Sequence, residues 1–145
     1  MKKFLLASVL LAVAGLFSGC VTQLQSQVAP GTDLTRLHKL YVVRLDADQR
    51  GVDKLIADRL GVMGYQATSG PKAAMPAGTE AVVTYQDKWM WDMTMYMISL
   101  DVQVRSPGDG VAIASGHVLR TSLARKSPPE MVEAVLNDLF KPHAS

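Results

Sequence analysis

Few side chains in this 145-residue chain combine the types and spacings that chemistry needs. Its three histidines, His38, His117 and His143, are scattered, and none has a partner at a metal-binding spacing such as H-x₃-H. The single cysteine, Cys20, excludes an internal disulfide framework and any multi-cysteine zinc or iron–sulfur site. Asp46 and Asp48 follow a strand end, where carboxylates can hold metal, yet Asp-x-Asp before a helix is ordinary capping chemistry. Ser115-Gly116-His117 lacks the G-x-S-x-G frame of a nucleophile elbow. Gly61 and Gly64 follow a helix rather than opening one, so they form no phosphate loop. Arg120, Arg125 and Lys126 make a basic cluster too small to define a site. No catalytic residue is readable, and the chain reads as a non-enzyme.

One stretch stands apart. From Trp89 to Arg105 the residues read as a long strand, rich in methionine and tryptophan near its start. Alternation places Trp89, Trp91, Met93, Met95 and Met97 on one face, followed there by Ser99, Asp101, Gln103 and Arg105. The other face begins with Met90, Asp92, Thr94 and Tyr96 and turns apolar from Ile98 to Val104. Two accounts fit this switch. A β-bulge between Asp92 and Met97 would return every apolar residue to a single core face. A regular strand would instead expose two Trp and three Met, a patch suited to an envelope protein partner or to self-association. A third reading is chemical: thioethers are soft ligands that select Cu(I), so Met93, Met95 and Met97 form a candidate copper site. Ligands two apart on a flat strand stand about 6–7 Å from one another, which opposes their convergence.

The N-terminus carries a sorting signal. Lys2 and Lys3 precede an apolar run from Phe4 to Phe17, 14 residues long. That falls short of the roughly 20 needed to span a bilayer. The run ends in Leu16-Phe17-Ser18-Gly19-Cys20, which resembles a bacterial lipobox. The resemblance implies cleavage after residue 19 and a diacylglycerol and N-acyl lipid on Cys20, with no other cofactor. It also implies that Val21, standing where Asp would retain the protein in the inner membrane, directs it to the outer membrane. Phe17 departs from the usual Leu. Removing Lys2 and Lys3 from 15 basic residues leaves 13, against 13 acidic ones. The apparent basicity thus belongs to the export signal and argues for no nucleic-acid partner.

These features need elements to position them. Val21 to Thr32 is polar and Gln-rich and is closed by Pro30-Gly31, so residues 20–36 read as the acylated cysteine and a flexible tether. Residues 37–145 read as a single periplasmic domain. Leu40 to Leu45 suits an interior strand. Val52, Leu55, Ile56, Leu60 and Met63 recur at helical spacing and lead through Gly64 into a short strand. Gly70 to Gly78 reads as a loop, and Glu80 to Gln86 as a strand before the long one. Ser106 to Gly110 is a turn, and Val111 to Thr121 returns as a hairpin arm. Ser127-Pro128-Pro129-Glu130 forms a capping box ahead of an apolar stripe of Val132, Val135, Leu136, Leu139 and Phe140.

The order β-α-β-β-β-β-α predicts an α/β (α+β) two-layer sandwich: a mixed sheet of four to five strands with two helices on one face. This order behind a lipobox, with Val82-Val83-Thr84-Tyr85 entering the long hairpin, resembles small Gram-negative outer-membrane lipoproteins with a TolB-amino-terminal-like or CsgG-like domain. The resemblance implies a periplasm-facing, lipid-anchored accessory of secretion or cell-wall machinery. The contact surface expected is Trp89, Trp91, Met93, Met95 and Met97.

Overall fold

A computed structural model describes residues 22–142. The signal sequence, Cys20, Val21 and His143 lie outside the described residues. Six strands, β1 (Gln23–Val28), β2 (Lys39–Val43), β3 (Gln66–Gly70), β4 (Ala81–Asp92), β5 (Thr94–Arg105) and β6 (Ala112–Leu119), form one sheet in the order β1-β6-β5-β4-β2-β3. Strand β2 runs parallel to β3 and β4, and the remaining pairs are antiparallel. Helices α1 (Val52–Val62) and α2 (Pro128–Leu139) cover one face. The expected two-layer architecture with two helices stands, with six strands in place of four to five.

The added strand is β1. Its Gln-rich sequence reads as tether, yet it pairs with β6 along its length, from Gln23 opposite Leu119 to Val28 opposite Ala114. The physical reason is its alternation. Ser26 Oγ donates to the Asp138 carbonyl on α2 (3.2 Å), so Leu24, Ser26 and Val28 point toward the helix. Gln23, Gln25 and Gln27 face outward. Gln23–Val28, within the expected tether, is therefore part of the sheet.

The core lies between sheet and helices. Leu40 and Val42 from β2, Val83 and Tyr85 from β4, and Leu100, Val102 and Val104 from β5 pack against Ile56 and Leu60 of α1 and Met131, Val135 and Leu136 of α2. The capping box expected at Ser127 is formed: Ser127 Oγ accepts from Glu130 N–H, and Glu130 Oε2 accepts from Ser127 N–H (2.8 Å). Helix α1 starts differently. Gly51, left-handed at φ 71°, precedes it, and Asp48 supplies the missing acceptors. Asp48 Oδ1 accepts from the N–H groups of Arg50 and Gly51, and Oδ2 accepts from Val52 N–H (2.8 Å).

Candidate contact surface at the hairpin tip

The Trp/Met segment is not one strand. The chain reverses at Met93, whose φ of 58° is the only positive value outside glycine among the described residues. Trp89 to Asp92 thus belongs to β4 and Thr94 to Met97 to β5. Cross-strand partners share a face, and the pairs are Trp91 with Met95 and Trp89 with Met97. On the reverse face Met90 pairs with Tyr96. A register shift between Lys88 and Trp89 leaves Ile98 without an opposite residue. This bulge lets Met97 and Leu100, of opposite parity, both reach the core. A bulge therefore exists, centred one residue beyond the segment expected, but it brings Met97 alone of the Trp/Met segment fully into the core and leaves Met95 on the same strand exposed.

Beyond that bulge the hairpin leaves the sheet. Strand β2 stops pairing with β4 at Val83, and β6 ends its ladder with β5 at Ser99. The two arms continue alone as a ribbon. Four of the eight exposed large apolar side chains among the described residues fall on this ribbon: Met90 (47 % exposed), Trp91 (70 %), Met93 (85 %) and Met95 (45 %). The expected surface is corrected at two positions. Met97 is fully buried in the core, because the bulge turns it beneath the helices, and it meets no partner directly. Trp89 is half-buried at the rim: its Nε1–H donates to Asp87 Oδ2 (2.5 Å), and the Arg50 guanidinium stacks 4.3 Å above its ring.

Sequence reasoning missed two contributors. Met90 joins the tip from the reverse face, and Leu123 (85 % exposed) stands on the 3-10 turn Ser122–Ala124 that follows β6. Arg125 ties this turn to the tip. Its guanidinium donates to Asp92 Oδ2 (3.0 Å), the Asp92 carbonyl (3.2 Å) and Thr94 Oγ1 (3.1 Å), and lies 4.1 Å over the Tyr96 ring. The only signal for this in the sequence is the basic cluster itself. Asp92, the one acidic residue in the turn, is thereby charge-paired.

The copper triad is divided. Met93 occupies the turn, Met95 the exposed ribbon and Met97 the core, so three thioethers do not share one surface. Among the described residues no three His, Cys, Asp or Glu side chains gather in a metal-sized group.

One pairing was not foreseen. His117 Nδ1 and Asp101 Oδ1 stand 2.7 Å apart on the sheet face away from the helices, beside Gln25, Gln27, Gln103 and Ser115. A histidine–carboxylate pair can serve a nucleophile, but no hydroxyl or thiol bonds to this ring among the contacts of the described residues. Both partners are partly open to water, as a surface ion pair would be. Asp46 and Asp48 do not form a pair: Asp48 is committed to the α1 start, where it also accepts from Tyr85 Oη–H (2.6 Å). Burial pushes the Asp48 carboxyl up. The Tyr85 hydroxyl and the N–H groups of Arg50, Asp53 and Gly51 pull it further down, leaving it below the ordinary value. Burial, with the hydrogen bond to Asp48, raises the Tyr85 phenol well above its own.

Sequence comparison finds no matching family model and no matching curated protein. Comparison of folds does find similar structures. The fold is similar to that of PelC. The PelC dodecamer from Paraburkholderia phytofirmans superposes with a TM-score of 0.64 at 16 % identity, covering 84 % of this chain and all of that one. A single-residue variant of that dodecamer in another crystal form gives 0.63 at 15 %. A PDZ domain protein from Parabacteroides distasonis gives 0.51 at 8 %, with 90 % of this chain covering 40 % of that one. At such identities the likeness is one of fold. No helix among the described residues is long and apolar enough to cross a membrane.

Proposed function

We propose that this chain is an outer-membrane lipoprotein that faces the periplasm and acts by binding rather than catalysis, as an assembly accessory of an envelope complex. The observation that carries the reading is the gathering of Trp91, Met93, Met95 and Met90 at one hairpin tip with no reactive group among them. Burying a side chain of this size stabilises by about 1.5–3 kcal/mol, so leaving four in water on one ribbon marks a contact surface. The lipobox ending in Cys20 supplies the anchor, with a diacylglycerol and an N-acyl lipid as the only attached groups, and Val21 supplies the outer-membrane sorting signal. The dodecameric state of PelC supports a self-oligomer as the assembled form.

The test is photo-crosslinking in intact cells from a photoreactive amino acid at position 91, with position 54 on the exposed side of α1 as control. Adducts to lipid or protein are expected from position 91 and not from position 54. Equal labelling from both overturns the tip as the contact surface. Mass spectrometry of the mature N-terminus is expected to find an acylated Cys20, and analytical ultracentrifugation in detergent a mass several times that of one chain. A monomer at every concentration removes the self-oligomer.

A further inference from the structure

We infer that the hairpin tip is a second membrane contact, seated in the interfacial layer of the same leaflet that holds the acyl chains of Cys20. This inference rests on the lipid-anchored reading above and names lipid as the tip's partner. Its warrant is the register of the sheet. Strand β1 is antiparallel to β6, and β6 to β5, so β1 and β5 run in the same direction. Followed back toward their N-termini, both lead to the same end of the molecule. Gln23 lies opposite Leu119, and Leu119 lies opposite Ser99, so Gln23 and Ser99 are level.

From that level two extensions can be compared. The ribbon runs five residues from Ser99 to Thr94, about 17 Å at 3.4 Å per residue. Cys20 precedes Gln23 by three residues, a reach of at most about 11 Å. The tip therefore extends at least as far toward the bilayer as the anchor does. Sideways they are separated by two strand spacings, about 10 Å. A cysteine held at the lipid surface brings Trp91, Met93 and Met95 to that surface with it.

The side chains suit that depth. Tryptophan is favoured where an apolar ring meets the polar headgroup layer, and methionine adapts to an irregular surface. Leu123 projects from the turn that Arg125 holds against the tip, adding a second apolar point. Asp92 is paired with Arg125, and Lys126 with Glu130 (3.5 Å), so the contact is apolar rather than electrostatic. Met93 adds an independent sign. A left-handed turn position favours glycine or asparagine, yet here it carries a long apolar side chain with its face to solvent.

The experiment uses the full mature, acylated protein in vesicles of phosphatidylethanolamine and phosphatidylglycerol, with and without lipids brominated in the upper acyl chain. Trp89→Phe leaves Trp91 as the single tryptophan. Its emission is expected to shift to the blue on reconstitution and to fall about twofold with brominated lipid. If the protein floats with the vesicles and Trp91 is unquenched, the tip faces a protein or a second copy and the inference fails, while the lipid anchor stands. If the protein neither floats nor carries acyl chains, both readings fall. Should Trp89→Phe not fold, Met93→Cys serves instead, because Cys20 is consumed as a thioether and the new thiol takes an environment-sensitive fluorophore. Protection of that fluorophore from an aqueous quencher supports lipid contact, and full accessibility overturns it.

Discussion

Met93 sets a conflict between local backbone preference and side-chain use. At φ 58° its Cβ crowds the following carbonyl, at a cost of about 1–2 kcal/mol that glycine avoids. Glycine gives back part of the gain as unfolded-state entropy, about 0.5–1 kcal/mol. Met93→Gly is therefore expected to raise the unfolding free energy by roughly 0.5–1 kcal/mol in urea titration while weakening tip contacts. A loss of stability on that substitution would refute the strain. Asp48 poses the opposite case, a residue whose worth is structural. Its carboxyl is held below the ordinary value, so its stabilisation is complete above the unfolded-state value near 4 and fades as pH falls through the lower folded one. Asp48→Asn is expected to cost about 1–2 kcal/mol at pH 7, read from thermal or urea unfolding, because it loses charged acceptors at the α1 start. The gap between the two proteins should then close on acidification below about pH 4. A gap that stays constant with pH would exclude the carboxylate as its source.

At the scale of elements, the sequence is most legible where patterning and punctuation agree. The α2 capping box and its apolar stripe appear as read, from Ser127 to Phe140. Two elements escaped for identifiable reasons. Strand β1 has three glutamines and a following Pro-Gly, which resemble tether, and it becomes a strand through the free edge of β6 and the face of α2. Its one local trace is the alternation of Leu24, Ser26 and Val28 with Gln23, Gln25 and Gln27. The reversal at Met93 is hard to read, since Asp92 is the lone turn-favouring residue of Asp92-Met93-Thr94 and the left-handed position carries Met in place of Gly or Asn. With the turn unreadable, the sequence shows the tip's composition but not its membership, placing Met97 outward and omitting Met90.

Another local detail carries weight at this scale. Gly116 on β6 lies under α2, where an added Cβ would come within 2.9 Å of Val135 Cγ2 and 3.4 Å of Leu139 Cβ. Gly116→Ala is expected to push the helix off the sheet and destabilise the fold by roughly 1–3 kcal/mol, seen as a lower denaturation midpoint. An unchanged midpoint would mean that α2 shifts freely on β6, against the close packing described.

For the whole molecule, the recruitment of Gln23–Val28 into the sheet bears directly on the proposed membrane contact. A tether of fifteen residues would let the domain turn in any direction. With β1 in the sheet, only residues 21 and 22 separate the proposed anchor from the domain, and their reach is shorter than the ribbon beside them. Orientation is then a product of tether length. On the proposed reading, an acylated Cys20 holds the tip to the bilayer, because position 20 leads into the same end of the sheet on too short a leash for the domain to roll away. This predicts a specific effect of lengthening. Inserting a flexible Gly/Ser segment of about twelve residues between Thr22 and Gln23 adds a coil of roughly 20 Å, enough to uncouple the two contacts. Acylation, vesicle flotation and unfolding midpoint should be unchanged, because neither the lipobox nor the β1–β6 ladder is touched. The quenching of Trp91 by brominated lipid should fall, since the tip now binds only by its own apolar surface rather than at the high effective concentration set by the short connection. Full quenching with the long linker would show that the tip holds the membrane by itself, and that the sheet register does not set the orientation.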